Sequence, residues 1–252
     1  MAVQRPVLLR WVVIPLLGLF AVTTGAELPR ALEFETGLLW AGRADVRIPG
    51  DEGTRFSLAD ELDAQGEVYL RGRATWYPAP RHSLAITAAP LEVSASGTLS
   101  RDTLFVDTHF PAGTEVDATY RFDSYRLTYR YKFWETRHFR ADFGGTLFVR
   151  DAEITLEDRD RRGTDSDLGL VPLASFYLVW RPYPALALAL DGDALAAPQG
   201  RALDTRCAVL YTVRDSLQLG LGYRILEGGA DNDNVYTFAL FHQVGASLTW
   251  RF

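Results

Sequence analysis

The side chains best placed for chemistry in this 252-residue chain are arginines and carboxylates that recur at every second position. They are Glu33, Glu35, Arg43, Arg71, Arg73, Arg126, Arg130, Arg140, Asp142, Arg150, Asp191, Asp193, Arg206 and Arg224. Each sits on the polar side of a segment whose other side is apolar, and a period of two puts alternate residues on one face of a strand. If that face is enclosed, charges of both signs must pair with one another or with water, because an unpaired buried charge is costly. Two outcomes follow: an ion-pair network that fills the interior, the simpler reading for a narrow barrel, or a polar conduit or binding pocket.

Other groups invite chemistry and carry less. Asp231-Asn232-Asp233-Asn234, after Gly228-Gly229, offers the oxygen donors that hard cations favour. Its spacing does not complete a calcium loop, and the same residues are ordinary turn formers. Asp158-Arg159-Asp160-Arg161-Arg162 could meet phosphates through its arginines, although a solvated loop explains it as well. Cys207 is the only cysteine, which excludes an intramolecular disulfide and argues against a cysteine-based metal cluster. No metal site and no cofactor is implied.

The elements that must position these residues are strands. Val68, Leu70, Gly72, Ala74 and Trp76 oppose Glu67, Tyr69, Arg71, Arg73 and Thr75. Tyr125, Leu127, Tyr129, Tyr131 and Phe133 oppose Arg126, Thr128, Arg130 and Lys132. The same alternation runs from Phe139 to Arg150, from Leu217 to Ile225 and from Gln243 to Phe252. It predicts about ten strands, over 31–45, 66–77, 82–95, 119–133, 139–155, 169–181, 185–195, 203–213, 217–227 and 235–252. Tight connections are expected at 78–81, 134–137, 182–184 and 214–216, and mostly longer polar loops at 46–65, 96–118, 156–168, 196–202 and 228–234. Short turns opposite long loops, with strands of this length, are the pattern of an antiparallel up-and-down transmembrane β-barrel. A mean hydropathy of -0.04 fits such a barrel, since lipid-facing and lumen-facing residues average out.

Three further features agree. Arg5 and Arg10 precede an apolar run from Trp11 to Val22, followed by Thr24-Gly25-Ala26, which reads as a secretory signal peptide over 1–26, cut after Ala26, ahead of a barrel domain over 27–252. Removing it takes away two arginines and no acid, so 26 basic residues become 24 against 32 acidic ones. The net charge then moves from -6 to -8, which argues against nucleic acid as a partner. Trp76, Trp134, Trp180 and Trp250 all fall at or beside one end of the expected strands, as an interfacial aromatic belt requires. Trp250 and Phe252 close a clean alternating segment and look like the terminal assembly signal of outer-membrane proteins.

Several stretches resemble a family of largely uncharacterised outer-membrane β-barrel proteins of Gram-negative bacteria. They are Asp45-Val46-Arg47-Ile48-Pro49-Gly50-Asp51, Tyr125-Arg126-Leu127-Thr128-Tyr129-Arg130-Tyr131, Arg150-Asp151-Ala152-Glu153-Ile154, Asp191-Gly192-Asp193-Ala194-Leu195-Ala196-Ala197-Pro198-Gln199-Gly200 and Leu226-Glu227-Gly228-Gly229-Ala230-Asp231-Asn232-Asp233. The resemblance implies the barrel fold and an outer-membrane location. It implies no activity.

The reading is therefore an integral outer-membrane barrel with a structural role, or a porin-like role in passing or binding small solutes. Its expected partners are outer-membrane lipids, lipopolysaccharide, the barrel-assembly machinery and a small solute. One alternative is an outer-membrane hydrolase, either a protease or a lipid A-modifying enzyme. A hydrolase needs a nucleophile or activated water, a base and an orienting group held together. His82, His109, His138 and His242 show no such spacing to a serine, and Asp45, Asp51 and His109 could only mimic a rim-located acid and histidine set. No catalytic residue is assigned, and the balance is against an enzyme. The other alternative, a soluble periplasmic ligand-binding barrel, would turn its apolar face inward.

The sequence also suggests a register. A turn at Pro198-Gln199 would place Asp191 opposite Arg206, and a turn centred on Thr136 would place Arg130 opposite Asp142.

Overall fold

A computed structural model describes residues 30–197 and 200–252. The expected signal peptide with its cut after Ala26 lies outside the described residues, as does the turn at 198–199. Fifteen strands follow in order: β1 (Ala31–Arg47), β2 (Phe56–Ser57), β3 (Asp63–Ala64), β4 (Glu67–Ala79), β5 (His82–Ala89), β6 (Glu92–Thr98), β7 (Thr103–Phe105), β8 (Thr108–Phe110), β9 (Glu115–Glu135), β10 (Phe139–Glu157), β11 (Arg162–Tyr183), β12 (Leu186–Ala197), β13 (Gly200–Arg214), β14 (Leu217–Asp231) and β15 (Tyr236–Arg251).

Ten of these form the wall, in the order β1, β4, β5, β9, β10, β11, β12, β13, β14, β15, with every contact antiparallel. β15 pairs back onto β1 from Ala31↔Arg251 to Arg47↔Tyr236, so the sheet closes. Closure leaves the sheet without edge strands. At the closing seam the N–H of Phe252 donates to the carbonyl of Arg30 at 3.1 Å.

The two ends differ as expected. At the turn end, the hairpins β4–β5, β9–β10, β11–β12 and β13–β14 close within two or three residues. The loop end is more ordered than alternation alone suggests. The segment expected as a loop over 156–168 is mostly strand, because β10 and β11 stay paired up to Glu157↔Arg162 and leave only 158–161 as a turn. Its residues read as loop because they are polar on both faces, yet backbone pairing continues. The strand expected over 82–95 breaks at Pro90-Leu91 into β5 and β6, both paired to β9. Proline has no N–H to give to a ladder.

Above that break, the 46–65 and 96–118 segments build an apolar cap. β2 takes a place beside β1 at Asp45↔Ser57, and β3 pairs with β6. The β7–β8 hairpin receives the Thr54 N–H at the Leu104 carbonyl and the Arg161 guanidinium at the His109 carbonyl, both at 2.9 Å. It thus bridges the 48–54 segment to the tip of the β10–β11 hairpin. Phe56, Leu58, Leu62, Leu99, Phe105 and Phe110 are buried there against Val46, Val116, Leu156 and Phe241 of the wall.

Outside, the wall presents Phe34, Leu38, Val68, Leu70, Ile86, Leu127, Phe143, Leu147, Leu221, Val244 and Leu248, all exposed. Trp76, Trp134, Phe139, Trp180, Tyr183, Trp250 and Phe252 ring the turn end and are exposed as well. Trp40, nearer the loop end, stacks on His242 at 5.5 Å.

The closing seam generates a prediction. Changing Trp250 and Phe252 to serine will lower the folded, heat-modifiable fraction on a denaturing gel several-fold, whereas the same change at Asp231 and Asp233 will leave it near wild type. Equal effects would show that the last strand does not govern closure.

Candidate functional site

The inward faces of β1, β4, β9, β12, β13 and β14 bring eleven of the charged side chains into one lattice at mid-height. Asp204 is its centre. It receives Arg224 at 2.5 Å, Arg126 at 2.7 Å and Arg71 at 3.2 Å. Arg126 also holds Asp193 at 2.8 Å, and Arg224 also holds Glu35 at 2.8 Å. Towards the turn end, Asp191 receives Arg73 and Arg130, each at 2.6 Å, while Arg206 reaches Glu33 at 3.1 Å and Glu35 at 3.5 Å.

Neutral groups complete the carboxylates. The Tyr69 hydroxyl donates to Glu35 at 2.8 Å. Ser175 and Thr146 hydroxyls donate to Asp193 at 2.6 and 2.8 Å, and Ser175 in turn accepts from Arg130 Nε at 2.9 Å. Gly245 makes the Tyr69 position available, because a Cβ there would collide with the Tyr69 hydroxyl. The side chains of Arg126, Asp193, Asp204 and Glu35 are at most 3% exposed.

This lattice divides the interior. Voids of only about 20 and 10 Å³ remain within it. Each has room for about one water molecule, which takes roughly 10–15 Å³ on this measure. On the turn side lies a polar vestibule of about 130 Å³, lined by Tyr77, Arg140, Asp142, Tyr177, Gln218 and Arg251 together with lattice residues. On the loop side lies a chamber of about 310 Å³ whose walls include Phe122, Phe148, Leu173, Leu195, Leu226 and Phe241. The inward face is polar in the middle of the barrel and at the turn end. The loop end is apolar inside.

The expected positions fall into groups. Glu33, Glu35, Arg71, Arg73, Arg126, Arg130, Asp191, Asp193, Arg206 and Arg224 all join the lattice. Arg140 and Asp142 pair with each other at 2.5 Å in the vestibule. Arg150 pairs with Asp167 on the β10–β11 hairpin, and Arg43 pairs with Asp45 near the cap. Asp204 was missed, although it lies two residues before Arg206 in an expected strand and so shares its face. Tyr69, Thr146 and Ser175 carried no such signal, because uncharged polar residues on an alternating face are common.

The register outcome is split. Asp191 does lie opposite Arg206. Their side chains turn elsewhere, because long arginines reach across a narrow interior to carboxylates on distant strands. Arg130 does not lie opposite Asp142; it faces Gly144, and Asp142 faces Lys132. A β-bulge beside Ala141 leaves Phe133 unpaired, and the connection spans 136–138 rather than centring on Thr136.

The remaining candidates are structural in their contacts. Asn232 accepts the amides of Asn234 and Val235 at 3.0 and 3.1 Å, a plain turn. Asp158 accepts the amides of Asp160 and Arg161 at 2.8 and 2.7 Å, and these bonds hold its carboxyl below the usual range. Asp45 is taken up by Arg43 and Arg55, and among the described contacts none joins the His109 ring to a carboxylate. His82 bonds to the Tyr129 hydroxyl, His242 to that of Tyr223, and His138 to the Arg181 carbonyl.

Truncating Arg130 or Asp191 to alanine will each cost roughly 3–5 kcal/mol in denaturant unfolding from lipid vesicles, because the partner charge is stranded. The double change will cost less than the sum by about 1–3 kcal/mol. Arg130 and Asp142, which share no contact, will behave additively. Strict additivity for Arg130 and Asp191 would contradict the lattice.

No family model matches the chain, and no curated protein matches it. Solved structures do. The outer-membrane protease OmpT from Escherichia coli aligns at a TM-score of 0.52 and 11% identity, over 91% of this chain and 99% of that one. An outer-membrane channel from Pseudomonas putida F1 aligns at 0.43 and 9% identity, over 92% and 100%. The attachment invasion protein Ail of Yersinia pestis aligns at 0.39 and 8%, over 87% and 98%. At these identities the likeness concerns fold alone. This chain has the closed ten-stranded antiparallel barrel that is found among outer-membrane proteins.

Proposed function

We propose that this chain is an integral outer-membrane β-barrel protein of a Gram-negative bacterium, with a non-enzymatic role in holding or handing on a small solute rather than in open diffusion. The observation that carries the reading is the outward surface: a closed barrel with an apolar band, ringed by exposed tryptophan and phenylalanine at the turn end. In water such a continuous apolar surface is a liability, whereas in a bilayer it is the lipid-facing side. The turn end then faces the periplasm and the capped end the exterior, where Arg159 and its neighbours would meet lipopolysaccharide. The barrel-assembly machinery would read the last strand. A filled mid-section distinguishes this barrel from a water-filled porin.

The hydrolase alternative gains no support from the site. Asp45 is neutralised by two arginines, and the four histidines bond to tyrosines or carbonyls at the rims and outer face or lie in the cap hairpin. The soluble-barrel alternative would leave the exposed apolar band in water.

Expressed in a Gram-negative host, the protein will fractionate with outer membranes, require detergent for extraction and migrate differently before and after boiling. Full recovery in a periplasmic extract without detergent would overturn the reading.

A further inference from the structure

The loop-side chamber is unlike the rest of the interior. Its walls are apolar, while its floor is the lattice itself, through Arg126 and Asp204. Arg150 and Arg201 add two more guanidiniums to the lining, and Arg201 is paired with Glu227 there at 2.5 Å. In Arg126 and Arg150 the buried Nε has no hydrogen-bond partner among the described residues, even though one terminal nitrogen of each is held by a carboxylate. Buried donors without acceptors are rare in folded proteins and each is costly. The lattice below also holds six arginines against five carboxylates, which leaves it net positive. An apolar space above unsatisfied cationic donors fits an amphiphile with an anionic, hydrogen-bond-accepting end.

The wall beside the chamber loses its ladder pairing at one seam. β11 and β12 pair only as far as Ala174↔Ala194. β11 continues to Arg162 and β12 to Ala197 without pairing to each other. Pro172, with no N–H to offer either neighbour, sits just beyond the last pair, although the β10 ladder runs through it. Val171 and Leu173 on one side of this seam, and Leu195 and Ala197 on the other, all line the chamber. On the outer surface next to the seam, Leu168 and Leu170 are 73% and 66% exposed. Among the described residues, the chamber is therefore bordered by a stretch of wall where β12 forms no ladder with β11, beside the apolar outer band.

We infer that the chamber is a binding site for a small amphiphilic monoanion, a medium-chain or comparably sized carboxylate, which enters sideways between β11 and β12. Size sets the class. A volume of about 310 Å³ accommodates roughly ten water-sized groups at ~30 Å³ each. That matches an eight-carbon carboxylate and excludes an intact phospholipid. The apolar body packs between Phe148, Leu173 and Phe241, and the carboxylate accepts from Arg126 and Arg150. The inference deepens the solute-holding reading and rests on it.

Radiolabelled octanoate, measured by equilibrium binding to the full mature chain in nanodiscs of zwitterionic lipid, tests it against empty nanodiscs. The expected result is saturable one-to-one binding. Octanol, which has the same body without the charge, will bind about tenfold more weakly, the loss expected for a charged hydrogen bond. Leu173→Trp, which fills the chamber, will weaken octanoate by about tenfold or more. Ala197→Trp, at the seam, serves the same purpose if the first variant does not fold. Arg150→Gln will weaken octanoate but not octanol. Each variant is scored only where its heat-dependent gel shift reports a folded barrel. Absence of saturable binding to folded protein, or binding that both tryptophan variants leave unchanged, would overturn the site and leave the membrane-barrel reading intact. Octanol binding as tightly as octanoate would overturn the anionic class. Loss of octanoate binding when the nanodiscs contain anionic phospholipid would identify membrane lipid as the occupant and overturn the free-solute assignment.

Discussion

Everything inside this barrel depends on keeping buried charge compensated. Asp204 lies in the interior among Arg71, Arg126 and Arg224, and its buried carboxylate is not tolerable without them. Because the four come from β4, β9, β13 and β14, satisfying one carboxylate ties the adjacent β13 and β14 to β4 and β9 across the lumen. A slip of one residue in any of these strands would turn its charges to the apolar outer face. The lattice thus specifies register across the lumen, while the outward side chains need only be apolar. That division explains why the outer face is chemically simple and the inner face is particular.

The same constraint separates two compartments. Towards the turn end the interior is wet and polar, with Arg140 and Asp142 facing the vestibule. Towards the loop end, cap residues such as Phe56, Phe105 and Phe110 replace charge by packing. The chamber lies where the two regimes meet, with apolar walls and a guanidinium floor. Its position next to the unpaired β11–β12 stretch links a gap in the wall's ladder to a large apolar space inside it.

Much of this was legible in the sequence, because period-two alternation is a direct image of a wall with two different faces. Tyr125 to Phe133 and Arg126 to Lys132 fall on the faces expected, and the four tight turns lie within a residue or two of their expected places. Features that arise from non-local geometry were not legible. The bulge beside Ala141 has no sequence mark, so the turn at Thr136 was centred wrongly and the pairing of Arg130 with Asp142 failed. The 156–168 segment is polar on both sides because it stands above the apolar band, and polarity without alternation reads as loop. The cap was invisible because Phe56, Leu58, Phe105 and Phe110 fall in short apolar runs within polar stretches and meet only after the barrel closes. The partner choice of Asp191 could not be read either: register names the residue opposite, while arginine length decides the residue reached.

The central claim is that a lattice anchored on Asp204 closes a membrane-spanning barrel. Planar-bilayer recording of the refolded chain tests it most directly. The wild type should show no steady ohmic conductance, and Asp204→Ala combined with Arg71→Ala and Arg224→Ala, which leaves Arg126 on Asp193 and Glu35 on Arg206, should admit small-ion current through a barrel that still shifts on heating. A steady open-channel conductance in the wild type, unchanged in the triple variant, would contradict the account.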